Sequence, residues 1–207
     1  MPKHVVGKRS YSAWTIRAAS TKPFGFMPFY PGPGLGGHCI PLDPFYLSWK
    51  AAEFGEWARF IELAGETNAR MPRYVVQKVA EALNGDRKAL NGSSVLVLGL
   101  AYKANIDDDR ESPSYEILEL LKESGAQVAY CDPFFPVTHK TRKHDLGLRS
   151  EPCTAESFAR FDAVVVSTAH ELFARPELFR GAKVVVDARN LIAPLFPQGG
   201  GPRVVKA

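Results

Sequence analysis

The feature that most restricts the fold of this chain is a series of short apolar runs in its second half. Four of them are predicted to be strands, at residues 95–99, 127–131, 163–167 and 183–187. Helical patterns lie between them, at residues 112–123, 154–161 and 170–179. Continuous apolar runs without alternation are typical of strands that are buried on both faces of a parallel sheet. Strands that alternate with helices therefore predict a parallel α/β domain with right-handed crossovers.

In a sheet of this kind, ligands bind at the carboxyl ends of the strands. The polar residues predicted at or just beyond those ends are Lys103, Asp132, Thr168 and Arg189. Since the carboxyl ends of parallel strands share one edge, we expect the ligand site of this domain at that edge.

A second constraint is the segment at residues 32–44, which contains four glycines and three prolines. Such a composition predicts a fixed, irregular loop, and rigid loops that carry reactive groups are often functional sites. Gly32, Gly34 and Gly37 match the spacing G-x-G-x-x-G, but a dinucleotide fingerprint must follow a strand and open a helix. The flanking prolines do not fit that context. We interpret the glycines as allowing close approach to a ligand while presenting Cys39.

Three helices are predicted before the α/β domain. Residues 11–20 form a short one, residues 44–54 form one that begins on Pro44, and residues 57–83 form a long amphipathic one. Pro72 is expected to kink or restart the long helix, and Asn84-Gly85 is expected to end it. Residues 1–9 are basic and match no recognisable pattern, so whether residues 1–12 are native is left open.

Composition excludes several classes of protein. The net charge of +4 over 207 residues is mild, which suits anionic small molecules but does not predict a nucleic-acid partner. No apolar run reaches the length of a membrane span, and the first 20 residues lack the apolar centre of a signal peptide. Three cysteines, an odd number without close pairing, favour a reducing compartment. We therefore expect a cytoplasmic protein without a membrane partner.

The loop at residues 36–43, Gly-Gly-His-Cys-Ile-Pro-Leu-Asp, resembles the catalytic cysteine loop of the UDP-glucose/GDP-mannose dehydrogenase family. Residues 21–26 and 45–47 are most similar to the UDP-N-acetylglucosamine 6-dehydrogenases of that family. The resemblance covers residue 13 to the end. It implies a tail at residues 1–22, a cysteine loop with dimerisation helices at 23–86, and a Rossmann-like UDP-sugar-binding domain at 87–207.

The resemblance implies that Cys39 is the nucleophile. Oxidation of C6 of a UDP-sugar to a carboxylate passes through an aldehyde, which a thiolate captures as a thiohemiacetal and later releases from a thioester. Asp43 is implied to orient water or move a proton. The alternatives are a structural cysteine at position 39 and, for Asp43, a cap of the helix predicted at Pro44.

The family loop also assigns contacts with the UDP-sugar to Phe29, Tyr30, Gly34 and Gly37. His38 is interpreted as a further substrate contact or as loop packing. The sugar-binding lysine of the family matches Lys103, and Arg110 is expected to contact ligand or a neighbouring subunit. Arg189 resembles an arginine near the NAD cofactor. For Lys103 and Arg189 the alternative is an ordinary surface side chain at a strand end.

In longer members of the family, the NAD-binding domain precedes the region that this sequence matches, and no counterpart is found here. The last domain has Gly-Leu-Ala-Tyr-Lys after its first strand, so it is expected to bind the nucleotide sugar rather than NAD. The main hypothesis is the C-terminal part of a UDP-N-acetylglucosamine 6-dehydrogenase, inactive alone and dimeric through its long helix. A non-catalytic UDP-sugar-binding module and a cysteine-dependent hydrolase are the alternatives, and UDP-glucose or the mannosamine epimer is an alternative sugar.

Overall fold

The computed structural model describes residues 11–22 and 24–207, so the predicted tail at residues 1–9 lies outside the described residues. The chain divides into two compact units at the boundary between Pro31 and Gly32. The first unit contains one helix, α1 (Tyr11–Ala19), as predicted. The segment that follows it, up to Pro31, is exposed and irregular wherever it is described.

The second unit begins with two helices and continues as an α/β domain. The two helices are α2 (Cys39–Glu53) and α3 (Arg59–Gly85). The strands are β1 (Ser94–Leu98), β2 (Gln127–Cys131), β3 (Ala163–Val166), β4 (Val184–Asp187) and β5 (Arg203–Lys206). The remaining helices are α4 (Pro113–Glu123), α5 (Ala155–Ala159) and α6 (Ile192–Leu195).

All five strands are parallel and lie in the order β2-β1-β3-β4-β5, which confirms the predicted fold class. The middle strands are buried on both faces, because helices or turns cover each side. On one face, Val75, Val79 and Leu83 of α3 join the core together with α4. On the other face, α5 and the turns around Phe173 and Phe179 complete a second cluster. Because helices and turns cover both sides of the sheet, its strands have no polar face.

Helix α2 begins five residues earlier than predicted, at Cys39 rather than at Pro44. The irregular part of the glycine-rich segment therefore ends at His38. Pro41 lies in the first turn, where amide groups have no intrahelical acceptor, and the helix tolerates Pro44 in its second turn. The expectation that a proline marks the first helical residue was wrong at this position.

Helix α3 runs through Pro72 without a break, so the predicted restart does not occur. The predicted helix at residues 170–179 consists instead of two 3₁₀ turns, Glu171–Phe173 and Pro176–Phe179. Strand β5 was not predicted, because it has only four residues and follows a glycine run that indicates only a flexible segment. In the described part of the chain, no helix is long and apolar enough to cross a membrane.

Candidate functional site

Cys39 is the first residue of α2, and its side chain is exposed. The amino end of a helix carries a partial positive charge, which favours an anionic group. Asp43 lies four residues later in the same helix and is also exposed. Residues four apart occupy one helix face, so the thiol and the carboxyl project from the same side of α2. Because Asp43 is inside the helix, the alternative interpretation of Asp43 as its cap is wrong.

The glycines before Cys39 pack against the α/β domain. A Cβ atom at Gly36 would collide with the side chain of Tyr102 and would lie 3.0 Å from the carbonyl oxygen of Glu111. Gly37 has a φ of 84°, a conformation that favours glycine, and its amide donates to the carbonyl oxygen of Arg110 at 2.8 Å. These two glycines therefore let the cysteine loop dock onto the loops that follow β1.

Two further contacts fix the start of the same loop. A Cβ atom at Gly32 would lie 2.7 Å from Cζ of Arg189, so the guanidinium packs directly on the Gly32 backbone. The Arg189 Nε–H donates to the carbonyl oxygen of Ser167 at 2.7 Å, and burial lowers the pKa of this arginine. Nearby, the amide of Leu35 donates to Oδ1 of Asn68 in α3 at 2.7 Å. In the structure, Arg189 thus holds the glycine loop.

Lys103 is exposed in the loop after β1, and a buried carboxylate holds that loop. Oδ2 of Asp132, the residue after β2, accepts hydrogen bonds from the amides of Leu100 at 2.6 Å and Ala101 at 3.1 Å. Next to Lys103, Tyr102 carries the ring that contacts Gly36 and Gly37. The structure therefore connects the Lys103 loop to the Cys39 loop through one aromatic side chain.

His170 completes this arrangement and was not identified from the sequence. The amide of Asn105 donates to its Nδ1 at 2.9 Å, and Nε2 lies 3.1 Å from Oδ2 of Asp132. An amide can only donate, so Nδ1 accepts and the ring proton is on Nε2, directed at the carboxylate. The His170 and Asp132 side chains are both fully buried. In the sequence, Asp132 is only a strand-end residue and His170 lies within a predicted helix, so no local pattern indicates that the two side chains pair.

Arg110 lies beside the cysteine loop. Its guanidinium forms a bidentate ion pair with Asp108, in which the shortest distance is 2.6 Å, from Nη2 to Oδ2. This pair raises the pKa of Arg110, and the nearby Tyr102 and Cys39 contribute to the same direction. A fixed positive charge therefore lies within electrostatic reach of the thiol. Asp109 instead accepts a hydrogen bond from the Tyr115 hydroxyl at 2.6 Å, and the part of the chain with a described structure contains no metal-binding cluster.

The other residues predicted to contact the substrate do not form one group. His38 is exposed and makes no capping hydrogen bond through its side chain, although it precedes the first helical residue. Phe29 and Tyr30 are exposed and belong to the first compact unit. Gly34 lies against Pro113, at the start of α4. The structure thus brings together the loops of Cys39, Lys103, Arg110 and Arg189, all within the second unit.

A cleft of about 440 Å³ lies between α3 and α4, next to Gly34. Its glutamates are Glu111, Glu116, Glu119 and Glu123, and the cations among its lining residues are Arg73 and Lys143. Since a nucleoside diphosphate is anionic, the excess of carboxylates disfavours it in this cleft. The exposed edge with Cys39, Lys103 and Arg110 suits that ligand better.

The amides after β1 do not fit the pyrophosphate of NAD. In a dinucleotide-binding domain, these amides and the following helix end contact the phosphates. Here the amides of Leu100 and Ala101 are already bonded to the Asp132 carboxylate, which would also repel a phosphate. A Cβ atom at Gly99 would collide with Thr168, so this glycine serves strand packing. The second unit therefore offers no usual NAD site after β1.

Comparison with known proteins agrees with this geometry. Residues 12–70 match the central domain of the UDP-glucose/GDP-mannose dehydrogenase family, and residues 96–194 match its UDP binding domain. The chain belongs to this family. It has 35% identity over 158 residues to UDP-N-acetyl-D-glucosamine 6-dehydrogenase of Pseudomonas aeruginosa, which covers 76% of this chain and 36% of that protein.

Two other relatives are named for different sugars. UDP-N-acetyl-D-mannosamine dehydrogenase of Methanococcus maripaludis strain C7 is 34% identical over 172 residues, which covers 78% of this chain and 36% of that protein. The crystal structure of NDP-N-acetyl-D-galactosaminuronic acid dehydrogenase from Methanosarcina mazei superposes with a TM-score of 0.75 at 27% identity, over 93% of this chain and 43% of that one. The chain thus spans about a third of the length of the curated relatives that it matches.

Proposed function

We propose that this chain is the cysteine-bearing and sugar-nucleotide-binding part of a UDP-N-acetylglucosamine 6-dehydrogenase. The observation that carries the proposal is the docking of two loops: Gly36 and Gly37, just before Cys39, pack on Tyr102, just before Lys103. This contact links a nucleophile and a cation at the carboxyl edge of a parallel sheet, where ligands bind. The UDP-binding domain of the family supports a UDP-sugar as the ligand.

In this proposal, Cys39 acts on C6 of the sugar. The thiolate adds to an aldehyde carbon, so a carbon–sulfur bond forms, the carbonyl π bond breaks and the oxygen takes a proton. At the thioester stage, Asp43 accepts a proton from water, the water oxygen attacks the carbonyl carbon, and the thiolate leaves. Their shared helix face supports this division of roles. Oxidation itself requires NAD, which we assign to a part of the whole enzyme beyond the family domains matched here.

The other predicted residues have roles in binding the substrate. Lys103 binds sugar or phosphate oxygens as a compact cation, and Arg110 supplies a second positive charge beside the thiol. Gly34 and Gly37 shape the loop, while Phe29, Tyr30 and His38 contact the nucleotide sugar. Arg189 approaches the cofactor in the family, and its contact with Gly32 supports a role in orienting the loop.

An N-acetylhexosamine is proposed as the sugar, because the relatives compared above act on N-acetylglucosamine or N-acetylmannosamine, or are named for an N-acetylgalactosaminuronic acid. N-Acetylglucosamine is preferred over its epimers on the similarity of residues 21–26 and 45–47. The product would be a UDP-sugar uronic acid, a precursor of polysaccharides.

The test is a calorimetric titration of the purified chain with UDP-N-acetylglucosamine and, separately, with NAD. We expect binding of the sugar nucleotide, weakening in Lys103→Ala, and no binding of NAD. In parallel, saturating UDP-N-acetylglucosamine should slow alkylation of Cys39 by iodoacetamide. Lys122→Ala, which changes an exposed lysine in α4, is the matched control. Tight binding of NAD, or a Cys39 alkylation rate that does not change with ligand, would contradict the proposal.

The exposed edge also fits a non-catalytic module that only captures UDP-sugars, since Cys39 is accessible without any oxidation step. A full-length enzyme that contains this region distinguishes the two functions. Cys39→Ser should abolish formation of the carboxylate while the binding of UDP-sugar persists. Normal product yield from Cys39→Ser would refute Cys39 as the nucleophile.

We also propose that two copies associate through α2 and α3. Large apolar side chains are exposed on these helices, among them Phe45, Trp49, Phe60 and Leu63. Several large apolar side chains exposed on two packed helices are typical of a protein interface. Sedimentation equilibrium should give a dimer for the chain and a monomer for Trp49→Glu. A monomer for the unchanged chain would refute this interface.

A further inference from the structure

Two cysteines that the proposed function does not use lie together beside the sheet. Cys131 is the last residue of β2 and is buried, whereas Cys153 is partly exposed. Cys153 packs against the apolar cluster that contains Cys131, and the two thiols are near enough for each to shift the pKa of the other. They are 22 positions apart in the chain, so only the fold makes them neighbours.

Backbone contacts fix the segment that carries Cys153 against the end of β2. The amide of Glu151 donates to the carbonyl oxygen of Tyr130 at 2.8 Å. The amide of Asp132 donates to Oγ of Ser150 at 3.0 Å. These bonds are on either side of Cys131, so its two neighbours in the chain are tied to the residues that precede Cys153. The two cysteines are therefore held close by rigid backbone rather than by a chance contact of side chains.

The surroundings differ for the two thiols. The neighbouring Cys131 thiol lowers the pKa of Cys153 to about 7, and Arg175, whose Nη2 lies 3.8 Å from the sulfur, acts in the same direction against burial. The pKa of Cys131 is raised by the neighbouring Cys153 and by burial. Since the thiolate is the reactive form, Cys153 is the nucleophile of the pair and Cys131 the second thiol.

We propose that Cys131 and Cys153 form a redox-active dithiol that low-molecular-weight disulfides oxidise to an intramolecular disulfide. The Cys153 thiolate attacks one sulfur of the small disulfide, whose S–S bond breaks and releases one thiolate. The Cys131 thiol then gives its proton to solvent and attacks the Cys153 sulfur, which releases the second thiolate. Two cysteine thiols are thus oxidised while one small disulfide is reduced to two thiols. The inference does not rest on the proposed function.

The experiment uses the full chain with Cys39→Ser, which removes the exposed thiol, and oxidised glutathione as the probe. Intact-mass measurement should show the loss of two hydrogen atoms with no glutathione retained, and peptide mapping should locate one bond between Cys131 and Cys153. Dithiothreitol should restore the starting mass. The oxidation rate should rise through pH 7, where Cys153 ionises.

Two variants separate the roles of the pair. Cys131→Ala should retain one glutathione on Cys153, because no second thiol is present to displace it. Arg175→Gln should slow the reaction at pH 7 and move the rate profile to higher pH, whereas Arg180→Gln, a change at an exposed arginine on the same side of the domain, should leave the profile unchanged. Circular dichroism would confirm that each variant is folded.

Three results would overturn the proposal. One is a stable mixed disulfide in the chain that still has Cys131, since it would show that the second thiol does not reach Cys153. Another is the absence of any reaction of the folded chain with oxidised glutathione. The third is an unchanged rate profile in Arg175→Gln.

Discussion

Replacement of Asp132 by asparagine is the sharpest test of how the fold positions the candidate site. The carboxylate accepts five hydrogen bonds from nitrogen donors: Oδ2 from Leu100, Ala101 and His170, and Oδ1 from Phe134 at 2.7 Å and Phe135 at 3.3 Å. Asparagine has the same shape but only one acceptor oxygen. Whichever way the amide turns, its NH₂ group faces amides that also donate, and at least two donors lose their acceptor.

The magnitude follows from this count. A buried donor without a partner costs about 1–3 kcal/mol, and hydrogen bonds to a charged acceptor are roughly twice as strong as neutral ones. Removal of the buried negative charge offsets part of the loss, because desolvation of the carboxylate is itself unfavourable. We therefore expect Asp132→Asn to lower the free energy of unfolding by about 2–4 kcal/mol.

Urea denaturation followed by circular dichroism measures this change. Asp145→Asn is the matched control, since Asp145 pairs with Lys140 on the surface, and such pairs contribute roughly 0–1 kcal/mol. Hydrogen exchange gives a second measurement: the amides of Leu100 and Ala101 should exchange faster in the variant. A loss below about 1 kcal/mol, the centre of the range for ordinary substitutions, would refute the role assigned to Asp132.

The loss of stability in the same variant should depend on pH. Burial raises the pKa of Asp132, but hydrogen bonds from His170 and from the backbone outweigh burial, so the pKa in the folded state is below the usual value. The contribution of Asp132 to stability is therefore complete above about pH 4 and is lost as the pH falls through the folded-state pKa. The difference in stability between the unchanged chain and Asp132→Asn should shrink in acid. A difference that grows as the pH falls would contradict the sign of this shift.

Three further predictions concern other parts of the fold. Gly36→Ala should cost about 1–3 kcal/mol and speed alkylation of the cysteine, because the added methyl group collides with Tyr102; unchanged alkylation would show that the loop is not docked there. Ser112→Ala should cost about 1 kcal/mol in urea denaturation, because its Oγ caps α4, and no loss would exclude the cap. Asp162→Asn should lower the free energy of unfolding at neutral pH, since Lys88 helps to hold the pKa of Asp162 below its usual value. The variant should also lose less of that free energy as the pH falls, and an unchanged loss of stability in acid would contradict this.

Patterns along the chain were sufficient to predict most elements. Strand β2 has the predicted bounds, and α4 and α5 begin one residue after the predicted helix starts, because Ser112 and Thr154 cap them. These elements were predictable because burial on both faces and helix capping each require particular residue types at neighbouring positions. The start of α2 was misplaced because a proline is compatible with several positions in the first turns of a helix. The short strand β5 depends on pairing with β4 rather than on its own pattern.

Likewise, only part of the candidate site was predictable from the sequence. The cysteine loop and Lys103 were identified from the sequence, since each lies in a run of residues typical of the family. The contact of Tyr102 with Gly36 and Gly37, the packing of Arg189 on Gly32 and the pairing of His170 with Asp132 were not. Each of them joins residues that are far apart in the chain, and a single sequence carries no record of which distant residues meet.

By itself, the sequence determined the parallel α/β class, the position of the candidate cysteine and the family resemblance, because these depend on local composition and on order along the chain. The tertiary structure decided why the glycines are needed, which side chains hold the Lys103 loop, and that Cys131 and Cys153 are neighbours. The physical reason is that close packing and buried hydrogen bonds are set by the meeting of separate elements. Gly36 makes the difference clear, since composition predicted its freedom, but only the fold placed Tyr102 against it.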